Sequence, residues 1–231
     1  MSPRVPIAAL VPVRGLAAGK QRLAAALSTG ERRALVEAML MDVLDALRGL
    51  PVITLLAVVS ADPAIAPIAE NAGAVLLPDT PEGGLNASLR AALAWLAAAR
   101  QSYAALIVGA DLPAITPSLL ETTMLASRAE IVIARSLDGG TNVLRQQPPF
   151  SLGLAFGAQS CARHRAAALA AGRTVEVIEH PMLARDVDNP EDLACVLRLL
   201  GPGRTRSLLE QRHLSDQIPA TREFCTPRGF P

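Results

Sequence analysis

The residues best suited to chemistry in this chain are three aspartates, a basic glycine loop and a few small hydroxyl side chains. Residues 105–113 read Ala-Leu-Ile-Val-Gly-Ala-Asp-Leu-Pro: an apolar run reaches Gly109, presents Asp111 and is stopped by Pro113. Late in the chain, Asp186 and Asp188 precede Asn189-Pro190. Two carboxylates brought together from different strand ends are the usual way to hold Mg²⁺ beside substrate phosphates, because this ion favours oxygen ligands and keeps part of its shell for the substrate. The same residues also admit plainer roles. Asp111 can cap its own loop, and Asp188 can supply negative charge at a helix N-terminus.

Three further clusters suit anions or a base. Residues 14–22 hold two glycines, Gly15 and Gly19, with Arg14, Lys20 and Arg22. Backbone N–H groups in such a loop can cradle phosphate oxygens, and the cations add charge-assisted bonds. The glycine spacing is not that of a P-loop, and no Lys-Ser/Thr pair opens a helix. Gly83 and Gly84, followed by Leu85 and Asn86, would let a base lie against the backbone while the Asn86 amide reads its edge; an ordinary turn is the alternative. Thr141 and Asn142 close an Asp-Gly-Gly-Thr-Asn turn, and Gly157 and Ser160 flank a helix start. Such small donors suit one anionic group, and equally suit hairpin-turn and capping chemistry.

The elements that must position these residues follow from periodicity. Apolar or β-branched runs at 7–13, 52–59, 74–77, 105–108, 131–134 and 175–178 read as strands. Pro12 ends the first of them, because proline cannot continue a central ladder. Between them lie helices. One is opened by the Ser28/Glu31 capping box and runs through Leu47, with others at 63–72, 88–100, 116–127 and 160–171. A last helix starts at Asn189-Pro190 and runs to Leu200. Residues 143–144 and 154–156 read as short antiparallel additions. This alternation predicts an α/β chain, a single three-layer α/β/α domain around a mainly parallel, Rossmann-like sheet. The polar clusters would share the carboxyl edge, where such folds bind ligands. The domain is expected over 1–204, with 205–231 a tail that is mobile or packed through Leu208, Leu209 and Phe224.

Composition removes several function classes. Hydrophobic residues make up 51% of 231 and aromatics 3%, so the core is packed by Ala, Leu and Val, and base-stacking platforms are excluded. A net charge of +1 gives no field for nucleic acid or an acidic membrane. No run reads as a membrane span or signal peptide. The three cysteines lack ligand spacing and fit a reduced, cytoplasmic protein. His164, between two arginines, reads as a surface or substrate-side cation, and Trp95 as core. No serine or cysteine nucleophile motif is present.

The order of the motifs resembles the 2-phospho-L-lactate guanylyltransferase family, within the molybdopterin-guanylyltransferase-like nucleotidyltransferases. The resemblance runs through Val11-Pro-Val-Arg-Gly, Lys20-Gln-Arg-Leu, Val58-Val-Ser-Ala-Asp62, Gly84-Leu-Asn86, Ala110-Asp-Leu-Pro113, Asp138-Gly-Gly-Thr-Asn142, Phe156-Gly157 and residues 186–193. It covers about residues 5 to 205. Arg14 departs from it, standing where the family often has lysine, which keeps the charge and changes the geometry.

The resemblance implies GMP transfer from GTP to a phosphorylated three-carbon acid, with release of pyrophosphate, on the way to coenzyme F-420. The acid would be 2-phospho-L-lactate, phosphoenolpyruvate or 3-phospho-D-glycerate. Arg14, Lys20 and Asp111 would carry the catalysis. Pro12, Val13, Arg14, Lys20, Arg22, Ser60, Asp62 and Gly83 to Asn86 would bind the nucleotide. Thr141, Asn142, Gly157 and Ser160 would bind the acceptor, and Mg²⁺ would sit on Asp111 with Asp188, or with Asp186. Oligomeric state is open, a homodimer being one option. Competing readings are a sugar-phosphate or molybdopterin nucleotidyltransferase of the same fold, and a catalytically silent nucleotide-binding protein. Against the first, the initial loop lacks the Gly-Gly-x-Ser-x-Arg-Met-Gly run usual in those enzymes.

Overall fold

Apolar β-branched runs form the strands, and Ala/Leu-rich stretches form the helices that cover them. The computed structural model describes residues 5–16, 20–80, 83–100 and 102–211. Its strands are β1 (Ile7–Pro12), β2 (Ile53–Val59), β3 (Val75–Leu77), β4 (Ala104–Val108), β5 (Ile131–Arg135), β6 (Thr141–Gln146) and β7 (Val175–Ile178). They make one sheet in the order β3-β2-β1-β4-β6-β5-β7. All neighbouring pairs are parallel except the two made by β6.

The helices are α1 (Thr29–Arg48), α2 (Ala66–Asn71), α3 (Gly84–Ala99), α4 (Pro117–Leu120), α5 (Ser160–Ala170), α6 (Pro181–Ala184), α7 (Pro190–Leu199) and α8 (Arg204–Gln211). One apolar cluster on one face of the sheet unites Ala9 and Val11 with α1, α7 and α8. A second, on the other face, unites Ala8 and Leu10 with α3 and α5. The sheet is therefore buried on both faces, as continuous apolar strands require.

The chain steps outward from β1 through β2 to β3, then returns to place β4 on the opposite side of β1. The carboxyl ends of β1 and β4 thus flank the point where strand order reverses, the place where open α/β sheets form ligand crevices. Ile7 to Leu10 run in register with Ala104 to Ile107, so the loop after Pro12 and the loop after Val108 leave the sheet side by side.

Local signals explain the main boundaries. Ser28 accepts from the Glu31 N–H while the Glu31 carboxylate accepts from the Ser28 N–H, the reciprocal box that opens α1. Asn189 caps α7 by accepting from the Asp192 N–H at 2.8 Å.

The structure differs from expectation at several places. β6 is a full central strand; Arg145 and Gln146, both buried, interrupt its apolar run and disguise it. Residues 154–156 form no strand. Helix α3 starts at Gly84 rather than Ser88, whose hydroxyl bonds back to the Gly84 carbonyl at 3.2 Å instead of capping. Trp95 is 37% exposed, not core. Residues 204–211 form α8, with Leu209 fully buried against α1 and α7. Among the cysteines, Cys161 is a buried thiol, and Cys195 is disulfide-bonded, against the expectation that all are reduced. No helix among the described residues is long and apolar enough to cross a membrane.

Candidate active site

Lys20 occupies the switch point. Its backbone is left-handed, at φ 57°, a conformation that disfavours residues with a Cβ and commonly marks a functional constraint. From there its ammonium reaches across to the β4 loop. Nζ donates to Asp111 Oδ2 at 2.5 Å and to Asp188 Oδ1 at 2.8 Å. The Lys20 side chain is 11% exposed. Burial alone would lower its pKa, but Asp111 and Asp188 outweigh that and raise it, so the ammonium stays charged.

The chain builds the carboxylate cluster by tying its loops together. The Val187 N–H donates to the Asp111 carbonyl at 3.1 Å, which sets residues 186–188 against the end of β4. Gly109 allows the turn itself, since a Cβ there would meet Asp111 Oδ1 at 3.0 Å. Asn142 Nδ2 donates to the Leu183 carbonyl at 3.0 Å and to Asp186 Oδ1 at 3.2 Å. One oxygen from each of Asp111, Asp186 and Asp188 then falls within 4.8 Å of the others. Burial, with Asp111 and Asp188 nearby, pushes the Asp186 carboxyl up to about 7. The negative charge here exceeds what one ammonium offsets. Three hard oxygen donors in such crowding fit a divalent cation.

On the β1–β2 side the expected nucleotide residues divide into exposed groups and supports. Arg14 and Arg22 are exposed and make no ion pair among the described residues. Pro12 ends β1, and Val13 is buried beneath the loop. Asp62 accepts from the Leu16 N–H at 2.9 Å and from the Ala64 N–H at 2.9 Å, and these bonds lower its pKa. Gly15 makes room for that carboxylate, because a Cβ would lie 2.9 Å from Asp62 Oδ2. Ser60, 3% exposed, accepts from the Asp62 N–H at 3.2 Å. Asp62 and Ser60 thus shape the first loop from within. Gly83 and Gly84 are exposed at the start of α3, and Leu85 packs partly into the core. Asn86, expected to read a base, forms a two-way clamp. Its Oδ1 accepts from the Phe156 N–H at 2.8 Å and its Nδ2 donates to the Phe156 carbonyl at 3.1 Å.

On the β6–α5 side Thr141, Gly157 and Ser160 come together. Ser160 Oγ donates to Thr141 Oγ1 at 3.0 Å. Gly157 takes φ 125°, and nothing lies within 4 Å of where its Cβ would stand, so this backbone faces open space. His164 is not the surface cation expected. It is fully buried, and burial with Arg163 nearby lowers its pKa to about 4. Its Nδ1 lies 3.0 Å from Thr141 Oγ1, and its Nε2 accepts from the Ala155 N–H at 2.9 Å. The signal available in the sequence was the four-residue step from Ser160 to His164, which puts both on one face of α5. The neighbouring arginines obscured it.

The switch point thus gathers exposed cations on one side, a carboxylate cluster at its centre and small hydroxyl donors on the other, an arrangement suited to nucleotidyl transfer. Comparison with known proteins agrees. Residues 7–215 match the family described as guanylyl transferase CofC like, and the chain belongs to that family. It is 37% identical over 214 residues to a phosphoenolpyruvate guanylyltransferase of Conexibacter woesei, covering 88% of this chain and 95% of that one. It is 40% identical over 195 residues to a 3-phospho-D-glycerate guanylyltransferase of Phenylobacterium zucineum, covering 82% and 89%. The fold is shared with a candidate nucleotide-diphospho-sugar transferase of Desulfovibrio desulfuricans G20, at TM-score 0.72 and 18% identity over 92% of this chain and 97% of that one.

Proposed function

We propose that this guanylyltransferase moves GMP from GTP onto the phosphate of a three-carbon acid: 2-phospho-L-lactate, phosphoenolpyruvate or 3-phospho-D-glycerate. The observation that carries this is Lys20 bridging Asp111 and Asp188 at the switch point, with cations on one flank and the Thr141/Ser160 donors on the other. An acceptor-phosphate oxygen attacks the α-phosphorus of GTP, the bond to the β-phosphate oxygen breaks, and pyrophosphate leaves. The acceptor brings its own nucleophile, so no serine or cysteine is needed. The protein must align two anions and neutralise their charge.

Arg14, Lys20 and Arg22 hold the triphosphate and the departing pyrophosphate. Gly83 and Gly84 give a base close access to the backbone, and Asn86 fixes the loop at Phe156 to that wall. Thr141, Gly157 and Ser160 hold the acceptor. Asp111 and Asp188, or Asp186 in place of the latter, would hold Mg²⁺. When bound, that ion supplies Lewis-acid neutralisation at the α-phosphate. Asn142 keeps Asp186 aimed into the cluster.

The test is purified enzyme with GTP, ATP, CTP or UTP against the three acceptors in competition, read by mass spectrometry of the product. Guanylylated diphosphate formed from one acceptor, with GTP preferred, is the expected result. Preference for CTP or UTP, or no acceptor-dependent pyrophosphate release, overturns it. Asp111→Asn should abolish metal-dependent turnover while the protein stays folded by circular dichroism.

A further inference from the structure

We propose that His164 is a positioning residue that fixes the Thr141 hydroxyl as a hydrogen-bond donor to the anionic acceptor. This rests on the acceptor reading above. The Ala155 N–H points at His164 Nε2 from 2.9 Å. A backbone N–H can only donate, so Nε2 carries no proton. A fully buried imidazole is neutral, and its single proton then sits on Nδ1. Nδ1 lies 3.0 Å from Thr141 Oγ1 and donates to it. Ser160 Oγ donates to the same oxygen, also at 3.0 Å.

Thr141 Oγ1 therefore receives two hydrogen bonds, which fill both its lone pairs. The one capacity left to this hydroxyl is its own proton. Thr141 is half-buried and sits beside Gly157, whose backbone faces open space. A carboxylate or phosphate oxygen placed there meets a donor that cannot turn away, and an incoming donor group finds no acceptor. The relay also holds the wall of the site. His164 grips Ala155 N–H, Arg163 donates to the Ala155 carbonyl at 2.8 Å, and the His164 ring meets Phe156 edge-on with centroids 5.0 Å apart. Asn86 holds Phe156 from the other side. Residues 155–157 have no regular structure, so these side chains set where Gly157 stands.

Two measurements test the relay. In ¹⁵N-labelled wild-type enzyme without substrates, long-range imidazole NMR should show the Nδ1–H tautomer for His164; an Nε2–H tautomer or an imidazolium at pH 7 overturns the proposal. In steady-state assays, His164→Phe keeps ring shape and removes both bonds. It should raise the acceptor KM about tenfold, because the Thr141 hydroxyl is then free to turn away from its bond to the charged acceptor, and leave the GTP KM within about twofold. His164→Asn, whose amide N–H can replace Nδ1–H, should recover most of that loss. In a Thr141→Val background, His164→Phe should change the acceptor KM little further. Equal effects on both substrates, or no recovery by Asn, would mark His164 as packing only. A wild-type enzyme that uses no three-carbon acceptor overturns the acceptor reading instead, while the tautomer, which needs no substrate, judges the relay by itself.

Discussion

Lys20 is the residue on which the site turns. It leaves a basic loop, adopts a left-handed backbone, and ends between two carboxylates from distant parts of the chain. Without its ammonium, Asp111, Asp186 and Asp188 would repel one another, and on the proposed reading the triphosphate would lose one of its cations. Lys20→Met keeps most of the aliphatic stem and removes the charge. Turnover should fall by about 10² or more, the scale of losing one preorganised charge contact in the transition state. Lys20→Arg should remain well below wild type, because a planar fork cannot reproduce a point charge bridging two carboxylates. Steady-state kinetics with a urea melt alongside checks this; near wild-type turnover in Lys20→Met would remove Lys20 from the catalytic role. The type and spacing of this lysine were legible in the sequence. Its carboxylate partners were not, because a side chain's reach across 91 and 168 positions is set by sheet topology.

At the scale of elements, legibility followed whether the stabilising partner was local. α1 and α7 carry their caps in their own first turns, at Ser28 and Asn189, and both are legible from those residues alone. α8 does not. Its first N–H groups, of Arg204 and Thr205, donate to the Asp42 carboxylate at 2.8 Å each, and Asp42 belongs to α1. Gly203 lets that carboxylate approach, since a Cβ would stand 3.1 Å from its Oδ1. No window of neighbouring residues contains this cap, so composition alone suggested a tail. β6 was obscured in a similar way, its polar residues being buried by neighbours far along the chain. Asp42→Ala should therefore lower stability by about 1 kcal/mol, the usual cost of a lost N-cap. Urea denaturation checks it, with amide exchange of α8 rising more than that of α7. Unchanged α8 exchange would show that Leu209 packing alone holds the helix.

For the whole molecule, the carboxyl edge of one sheet gathers residues from Arg14 to Ser160 and Asp188, and this concentration of buried polar groups makes stability depend on pH. His164 has the clearest sign. Its ordinary pKa of 6.5 applies to the unfolded chain, whereas in the fold burial holds it near 4. Between those values the unfolded state binds a proton that the folded state refuses. The stabilisation is thus complete above pH 6.5 and is lost as pH falls toward 4, by up to roughly 3 kcal/mol. Asp186 runs the opposite way. Its folded pKa, raised from 3.8 to about 7, gives a contribution present at low pH and lost as pH rises through that window. Total stability therefore mixes the two, and the difference between wild type and His164→Asn isolates the histidine. Urea midpoints at pH 7.5 and 4.5 should fall further in the wild type than in His164→Asn, because only the wild type carries the imidazole. Parallel losses in both proteins would mean that His164 takes up a proton in the fold at pH 4.5, and its Nε2 could then no longer accept from the Ala155 N–H.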